Sequence, residues 1–101
     1  MNINLNYREE TKNQPTNSEL TLDYILYAVS QKYADGLEGQ LRRICGRIQR
    51  KLDEAIEKKK NSVEFETAEI EFIKKAFNEA KFPPHLAKFV IMLEDEIDKI
   101  K

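Results

Sequence analysis

Apolar residues recur at spacings of three and four between Leu37 and Lys60, and no other segment of the chain is as long or as regular. At about 100° per residue these side chains fall within one arc of roughly 120°, which is typical of an amphipathic helix with a single buried face. The apolar positions are Leu37, Leu41, Ile44, Cys45, Ile48, Leu52, Ala55 and Ile56. A helix about 36 Å long has to be packed by several other elements. The segment therefore predicts a helical domain organised around residues 37–60.

Three further helices are predicted from shorter periodic segments. They cover residues 21–35, 68–81 and 84–100. Thr21 and Thr67 are suited to cap the first and second of these, because a hydroxyl oxygen can accept a bond from a first-turn amide. Gly36 supplies a left-handed residue after the first, and Pro84 can open the last because its missing N–H costs nothing there. The first helix and the central helix should form a helical hairpin.

Two short segments alternate between polar and apolar residues, at positions 2–7 and 63–66. Period-two alternation indicates half-buried strands, and we expect the two to pair as a ribbon lying on the helices. The polar residues 8–19 contain Pro15 and predict a loop, with flexibility expected. The predicted fold is mainly α: a single domain over residues 1–101, with about four helices in a compact bundle and a small two-stranded β-ribbon.

Length and charge narrow the class of protein. The chain has 101 residues and a formal net charge of −1, so it fits one domain with no global attraction to nucleic acid or anionic lipid. No apolar stretch is long enough to cross a membrane, and the amino terminus lacks a secretory signal pattern. The single cysteine excludes an internal disulfide and fits a reducing, cytoplasmic compartment. Frequent Lys, Glu, Ile and Asn are compatible with a phage or mobile element.

The polar side of the central segment is locally basic. Residues 37–61 carry eight basic and four acidic side chains. Arg43 and Arg47 have no acid three or four residues away, whereas Arg50 is close to Asp53 and Glu54. Together with Lys51 these arginines form a basic patch. Four alternatives are open for it: solvent, an acid of this chain's own last helix, an acidic partner protein, or the phosphates of a nucleic acid.

Gly39 and Gly46 lie seven residues apart, so they share the polar face of the predicted central helix. A glycine within a helix costs up to about 1 kcal/mol relative to alanine. Gly46 would let the backbone of a partner approach closely, or it is simply a tolerated glycine. The residues predicted to bind a partner are Arg43, Gly46, Arg47, Arg50 and Lys51.

The last predicted helix is apolar on five consecutive residues, from Phe89 to Leu93. One buried stripe accounts for Phe89, Val90 and Leu93, but Ile91 and Met92 point away from it. Either this helix is covered on several faces, or Ile91 and Met92 form an interface with a second copy of the chain.

Enzymatic chemistry has little support in this sequence. His85 is the only histidine, and Cys45 lies within the apolar arc of the central helix. No metal-ligand spacing, phosphate-binding loop or nucleophile motif is present, so we predict no catalytic residues, no metal and no cofactor. The leading hypothesis is a non-enzymatic interaction or regulatory protein that binds a protein partner or itself. The alternative is a nucleic-acid-binding accessory protein that uses the arginine face of helix 37–60. No small-molecule substrate is inferred.

Overall fold

The computed structural model describes residues 1–99, which form four helices and two short strands. Their order along the chain is β1 (Asn2–Asn4), α1 (Asn17–Lys32), α2 (Gly39–Glu57), β2 (Ser62–Glu64), α3 (Thr67–Glu79), a 3₁₀ turn (Pro84–Leu86) and α4 (Ala87–Asp98). The predicted mainly α bundle with a small ribbon is confirmed. Ile100, the predicted end of the last helix, lies outside the described residues.

The two strands pair antiparallel, with Ile3 directly opposite Val63. The amide of Leu5 donates to the carbonyl of Asn61 at 2.8 Å, and the amide of Phe65 donates to the carbonyl of Met1 at 2.8 Å. The regular strands are shorter than the predicted segments 2–7 and 63–66, although one further backbone bond at each end extends the pairing to Leu5 and Phe65. The pairing itself agrees with the alternation in the sequence.

One apolar core holds the ribbon against the helices. The ribbon contributes Ile3, Leu5, Val63 and Phe65, all of which are buried. The remaining buried apolar side chains come from α1, α2, α3 and α4. An isolated two-stranded ribbon is marginal in water, so it is this burial that stabilises the pairing.

A central helix of this length is expected to pack against all the other helices, and the structure shows a different packing order. α1 lies against both α2 and α3, and its contact with α3 is the most extensive in the fold. α2 also packs on β2 and α3, whereas α4 packs mainly on α3 and β1. α1 and α2 do form the predicted helical hairpin, although the turn between them spans residues 33–38. Gly36 adopts the expected left-handed conformation, with φ of 101°, within that turn.

The start of α1 is a correction to the sequence prediction. The helix begins at Asn17, with Thr16 as its N-cap, and not at Thr21. Thr16 accepts a bond from the amide of Glu19, and the Glu19 carboxylate accepts one from the amide of Thr16. This reciprocal pattern is a capping box, and it satisfies two amides that a single cap at Thr21 would have left unpaired.

Other helix ends also differ from the prediction: α1 ends at Lys32, α2 begins at Gly39, α3 ends at Glu79, and α4 begins at Ala87 after the 3₁₀ turn. Glu66, not Thr67, is the N-cap of α3, and its amide donates to the carboxylate of Glu69 at 2.8 Å. α2 ends at Glu57, and Lys59 takes a left-handed conformation with φ of 52°. Since the apolar face of α2 ends with Ala55 and Ile56, continuing the helix to Lys60 would have buried nothing more.

The amino-terminal segment is hydrogen-bonded to the start of α1. The Tyr7 hydroxyl lies 3.0 Å from the carbonyl of Asn17 and 2.9 Å from the Thr21 hydroxyl. The side chain of buried Asn17 accepts a bond from Arg8 and donates one to the Arg8 carbonyl. Residues 17–19, assigned to the loop 8–19 from sequence, therefore belong to α1 and anchor that loop.

Within residues 1–99, no helix combines the length and the apolar character that crossing a membrane requires.

Tyr7→Phe should lower the free energy of unfolding by about 1 kcal/mol, because the hydroxyl bonds to Asn17 and Thr21 are lost while the ring is retained. Thermal unfolding followed by circular dichroism measures this as a fall in Tm of about 4–8 °C. Tyr27→Phe is the matched control, since Tyr27 is an exposed tyrosine on α1. Equal melting of both variants would contradict the anchoring of the amino-terminal segment.

Candidate interaction face of the central helix

The site is built on α2, whose two sides differ sharply in chemistry. Ile44, Cys45, Ile48, Leu52 and Ala55 form its buried side. The opposite side is polar over the whole helix and carries every residue of the predicted basic patch. Because one turn takes 3.6 residues, positions 39, 43, 46 and 50 lie directly opposite the core.

Glu69 of α3 lies under one flank of this polar side. Its side chain is completely buried, with 0 % exposure, and one oxygen accepts a bond from Lys51 Nζ at 2.5 Å. The other oxygen lies 3.4 Å from Nε of Arg47. Together with the bond from the Glu66 amide, these contacts give the buried carboxylate three donors. A buried charge is costly unless it is paired and hydrogen-bonded, and Glu69 meets both conditions.

The pKa of Glu69 reflects two opposing effects. Burial acts to raise the pKa, because it removes water from the charged form. The hydrogen bonds from Lys51, the Glu66 amide and Arg47 stabilise the carboxylate, and the net result is a pKa below the ordinary value. Glu69 is therefore a carboxylate at neutral pH.

Arg47 and Lys51 consequently have a structural role that links α2 to α3. The prediction that Arg47 lacks an acid within its own helix is correct, but the acid that pairs with Arg47 and Lys51 is Glu69 of α3 and not one of the last helix. Helical spacing could not reveal this pair, because Glu69 follows Lys51 by 18 residues. The sequence did contain one signal, since Glu69 stands three residues after the N-cap Glu66, the position of a capping-box carboxylate.

Three arginines remain on the outer face of α2. Arg42, Arg43 and Arg50 are exposed, and no ion pair to any of them is found within residues 1–99. Arg42 is not paired with Glu38, nor Arg50 with Glu54, although each acid lies four residues away along the chain. Glu54 instead accepts bonds from Lys58 at 2.9 Å and from Lys60 at 3.3 Å, which lowers its pKa.

Gly46 lies between these arginines, and Gly39 lies two turns earlier on the same side. A methyl group added at either glycine would have no atom within 4 Å. The fold itself therefore does not require a glycine at either position. We call Arg42, Arg43, Gly46 and Arg50 the glycine–arginine face. A small open pocket of about 200 Å³ borders this face. It lies between Arg50 and the two side chains that bind Glu69, Arg47 and Lys51.

The second predicted surface is on α4. Ile91 is 55 % exposed, whereas Met92 is half-buried beside the stripe of Val90, Leu93 and Ile97. The two residues therefore differ in exposure: Met92 is partly covered by the protomer, whereas Ile91 faces outward. Their role as an interface between copies stays a prediction.

The residues considered for chemistry lie apart from one another. Cys45 is buried, and loss of hydration raises the pKa of its thiol, which is the opposite of what a nucleophilic cysteine requires. His85 is exposed in the 3₁₀ turn. Among residues 1–99, no three His, Cys, Asp or Glu side chains come together as metal ligands would.

No protein-family model, curated protein or solved structure matches this chain.

Lys51→Met should lower the free energy of unfolding by about 2–3 kcal/mol, because it leaves a buried carboxylate with a weaker set of donors. Urea unfolding measures the change. Lys58→Met is the matched control. It also removes one lysine charge, but from an exposed pair with Glu54, so the free energy of unfolding should change little. If both variants unfold alike, the Glu69 cluster does not stabilise the fold.

Acid should destabilise the protein partly through Glu69. Its folded pKa is lower than its unfolded pKa, so its contribution is present above the unfolded value, near 4.3, and is lost as pH falls through the folded pKa. Glu69→Gln removes that contribution at every pH. The stability difference between wild type and Glu69→Gln should therefore shrink between about pH 5 and pH 3. A difference that stays constant over this interval would contradict the assignment.

Proposed function

We propose that this protein is a non-enzymatic interaction protein that binds an acidic surface of a partner protein through the glycine–arginine face. The observation that carries the proposal is the set of three exposed arginines, Arg42, Arg43 and Arg50, without an acidic partner in residues 1–99. They differ in this from Arg47 and Lys51, whose charges are matched by Glu69. A cluster of unmatched cations is complementary to carboxylates of another molecule.

Gly46 supports an approach by a partner at this place. A mid-helix glycine costs up to about 1 kcal/mol relative to alanine, and no atom outside its own stretch of α2 lies within 4 Å of the place where a methyl group would stand. A partner that packs across α2 at Gly46 can use this space while its carboxylates accept bonds from the flanking arginines. Arginine suits such contacts because its planar group can bind a carboxylate with two parallel bonds.

Other features of the chain fit binding better than catalysis. The thiol of Cys45 is buried with a raised pKa, and His85 is exposed in the 3₁₀ turn. The buried, free cysteine also suits a reducing compartment, so we place the protein in the cytoplasm.

The second candidate function is nucleic-acid binding, which the same three arginines favour because phosphates are also bound by arginine. The absence of an aromatic side chain among them argues against stacking of bases on this face.

The double variant Arg43→Gln with Arg50→Gln tests the proposal against two probes, a glutamate-rich helical peptide and a DNA duplex. Wild type should bind the peptide, and the double variant should bind it about tenfold or more weakly, because two charge-assisted contacts are lost. Fluorescence anisotropy measures both affinities. Lys12→Gln with Lys88→Gln is the control, since it removes the same charge from exposed positions outside the face.

Each outcome of this comparison has one meaning. Binding to DNA, with a salt dependence that flattens by roughly one unit per lost phosphate contact, would replace the protein partner with a nucleic acid. Equal weakening in the control variant would mean that net charge alone drives binding. If wild type binds neither probe, the glycine–arginine face is not an acid-binding surface.

Gly46→Ala tests the same face through its separate effects on stability and on binding. Because the added methyl group meets no atom within 4 Å, this variant should gain about 0.5–1 kcal/mol of stability. It should nevertheless bind the acidic peptide more weakly, since the methyl group occupies space that the partner needs. Urea unfolding and anisotropy measure the two effects separately. A gain of stability with unchanged binding would show that Gly46 is not part of the contact.

A further inference from the structure

We propose that β2 pairs with β2 of a second copy of this chain, so that two ribbons join into one four-stranded antiparallel sheet. The proposal is independent of the glycine–arginine face and concerns a different surface. It rests on the direction of the backbone groups of β2, on the space along its edge, and on the charges that flank it.

The hydrogen bonds of the ribbon fix which backbone groups of β2 are free. The backbone hydrogen bonds between the strands are made by odd-numbered residues. The pairs are Leu5 with Asn61, Ile3 with Val63, and Met1 with Phe65. Since successive residues of a strand alternate in direction, the N–H and C=O groups of Ser62 and Glu64 point away from β1. They form an open edge.

The edge of β2 that points away from β1 is accessible. It borders an open groove of about 690 Å³, whose other wall includes Lys51, Glu54 and Lys60. Ser62 is exposed, and the side chain of Glu64 is 77 % exposed. A strand edge with unpaired backbone groups is a template for another strand.

A second copy fits this edge better than an unrelated strand, because the sequence around β2 is complementary to itself. An antiparallel pair with its two-fold axis at Val63 sets Ser62 opposite Glu64 of the second copy, and Lys60 opposite Glu66. The Ser62 and Glu64 positions then exchange four backbone hydrogen bonds. Ser62 and Glu64 belong to β2, Lys60 and Glu66 flank it, and all four residues are exposed. Opposite charges across two strands contribute favourably, and here each copy supplies both signs.

The pairing would also relieve the weakness of the ribbon. Two strands of three residues each are marginal on their own, whereas sheets of three or more strands are stable. The expected dimer has an isologous interface, in which the same residues of both copies meet across the axis.

Hydrogen exchange at two protein concentrations tests the pairing. The Ser62 and Glu64 amides should exchange rapidly in dilute protein and about tenfold more slowly once nine-tenths of the chains are dimeric, because they would then exchange only from the monomer. The Val63 amide faces β1 and should be slow at both concentrations. The amides of Asn2 and Asn4, on the outer edge of β1, are the control and should not depend on concentration. Amides of Ser62 and Glu64 that stay fast in concentrated protein would overturn the proposal.

Sedimentation equilibrium of variants identifies the surface involved. Glu64→Pro removes an N–H that the protomer does not use, so this variant should be monomeric at concentrations where wild type is dimeric. Asn2→Pro is the matched control, as it removes the equivalent N–H from the outer edge of β1. A dimer that survives Glu64→Pro but is lost in Ile91→Glu would place self-association on α4 and overturn the proposal, as would a wild type that is monomeric throughout.

A charge exchange provides a test that does not depend on proline being tolerated. Lys60→Glu and Glu66→Lys should each weaken the dimer, since each sets two like charges opposite one another across the axis. The two changes combined should restore it, because every opposing pair again has opposite signs. Circular dichroism confirms that each variant is folded. Failure of the combined variant to dimerise better than both single variants would refute the register.

Discussion

The buried carboxylate of Glu69 is the interaction on which the arrangement of α2, α3 and β2 depends. One oxygen receives Lys51 of α2 at 2.5 Å and the Glu66 amide at the start of α3 at 2.8 Å. The contact therefore fixes the distance between two helices and caps one of them at the same time. Lys51 Nζ also lies 5.7 Å from the centre of the Phe65 ring, next to β2. A charge with no exposure has few acceptable geometries, so it specifies the relative position of the elements that supply its donors.

This pairing also divides the basic side of α2 into two parts with different roles. Arg47 and Lys51 are 41 % and 32 % exposed and are held by Glu69. Arg42, Arg43 and Arg50 stand further around the helix, on the side opposite the core. The basic side chains of this patch thus fall into two groups, one that stabilises the fold and one that is available to a partner. Mutations of the whole patch would mix the two roles, which is why variants at Arg43 and Arg50 are the informative ones.

Local signals in the sequence were enough for much of the fold. The three-and-four spacing from Leu37 to Ile56 identified α2, because burial of one face is the main requirement on an amphipathic helix. Alternation around Ile3 and Val63 identified the ribbon for the same reason, with a period of two. The helix starts were less well predicted. At α1 the Thr16–Glu19 capping box sets the start, and the Thr21 hydroxyl, which the sequence favours as the cap, donates to the carbonyl of Asn17 within the helix.

The sequence by itself determined which faces are apolar, that Arg43 and Arg47 have no acid in their own helix, and that Ile91 leaves the stripe of α4. These properties follow from spacing along one element. Only the tertiary structure decided that Glu69 neutralises Arg47 and Lys51, that the space beside Gly46 is empty, and that β2 carries the open edge. Each of these depends on groups far apart in the chain, and their distances are set by how the helices pack together rather than by local periodicity.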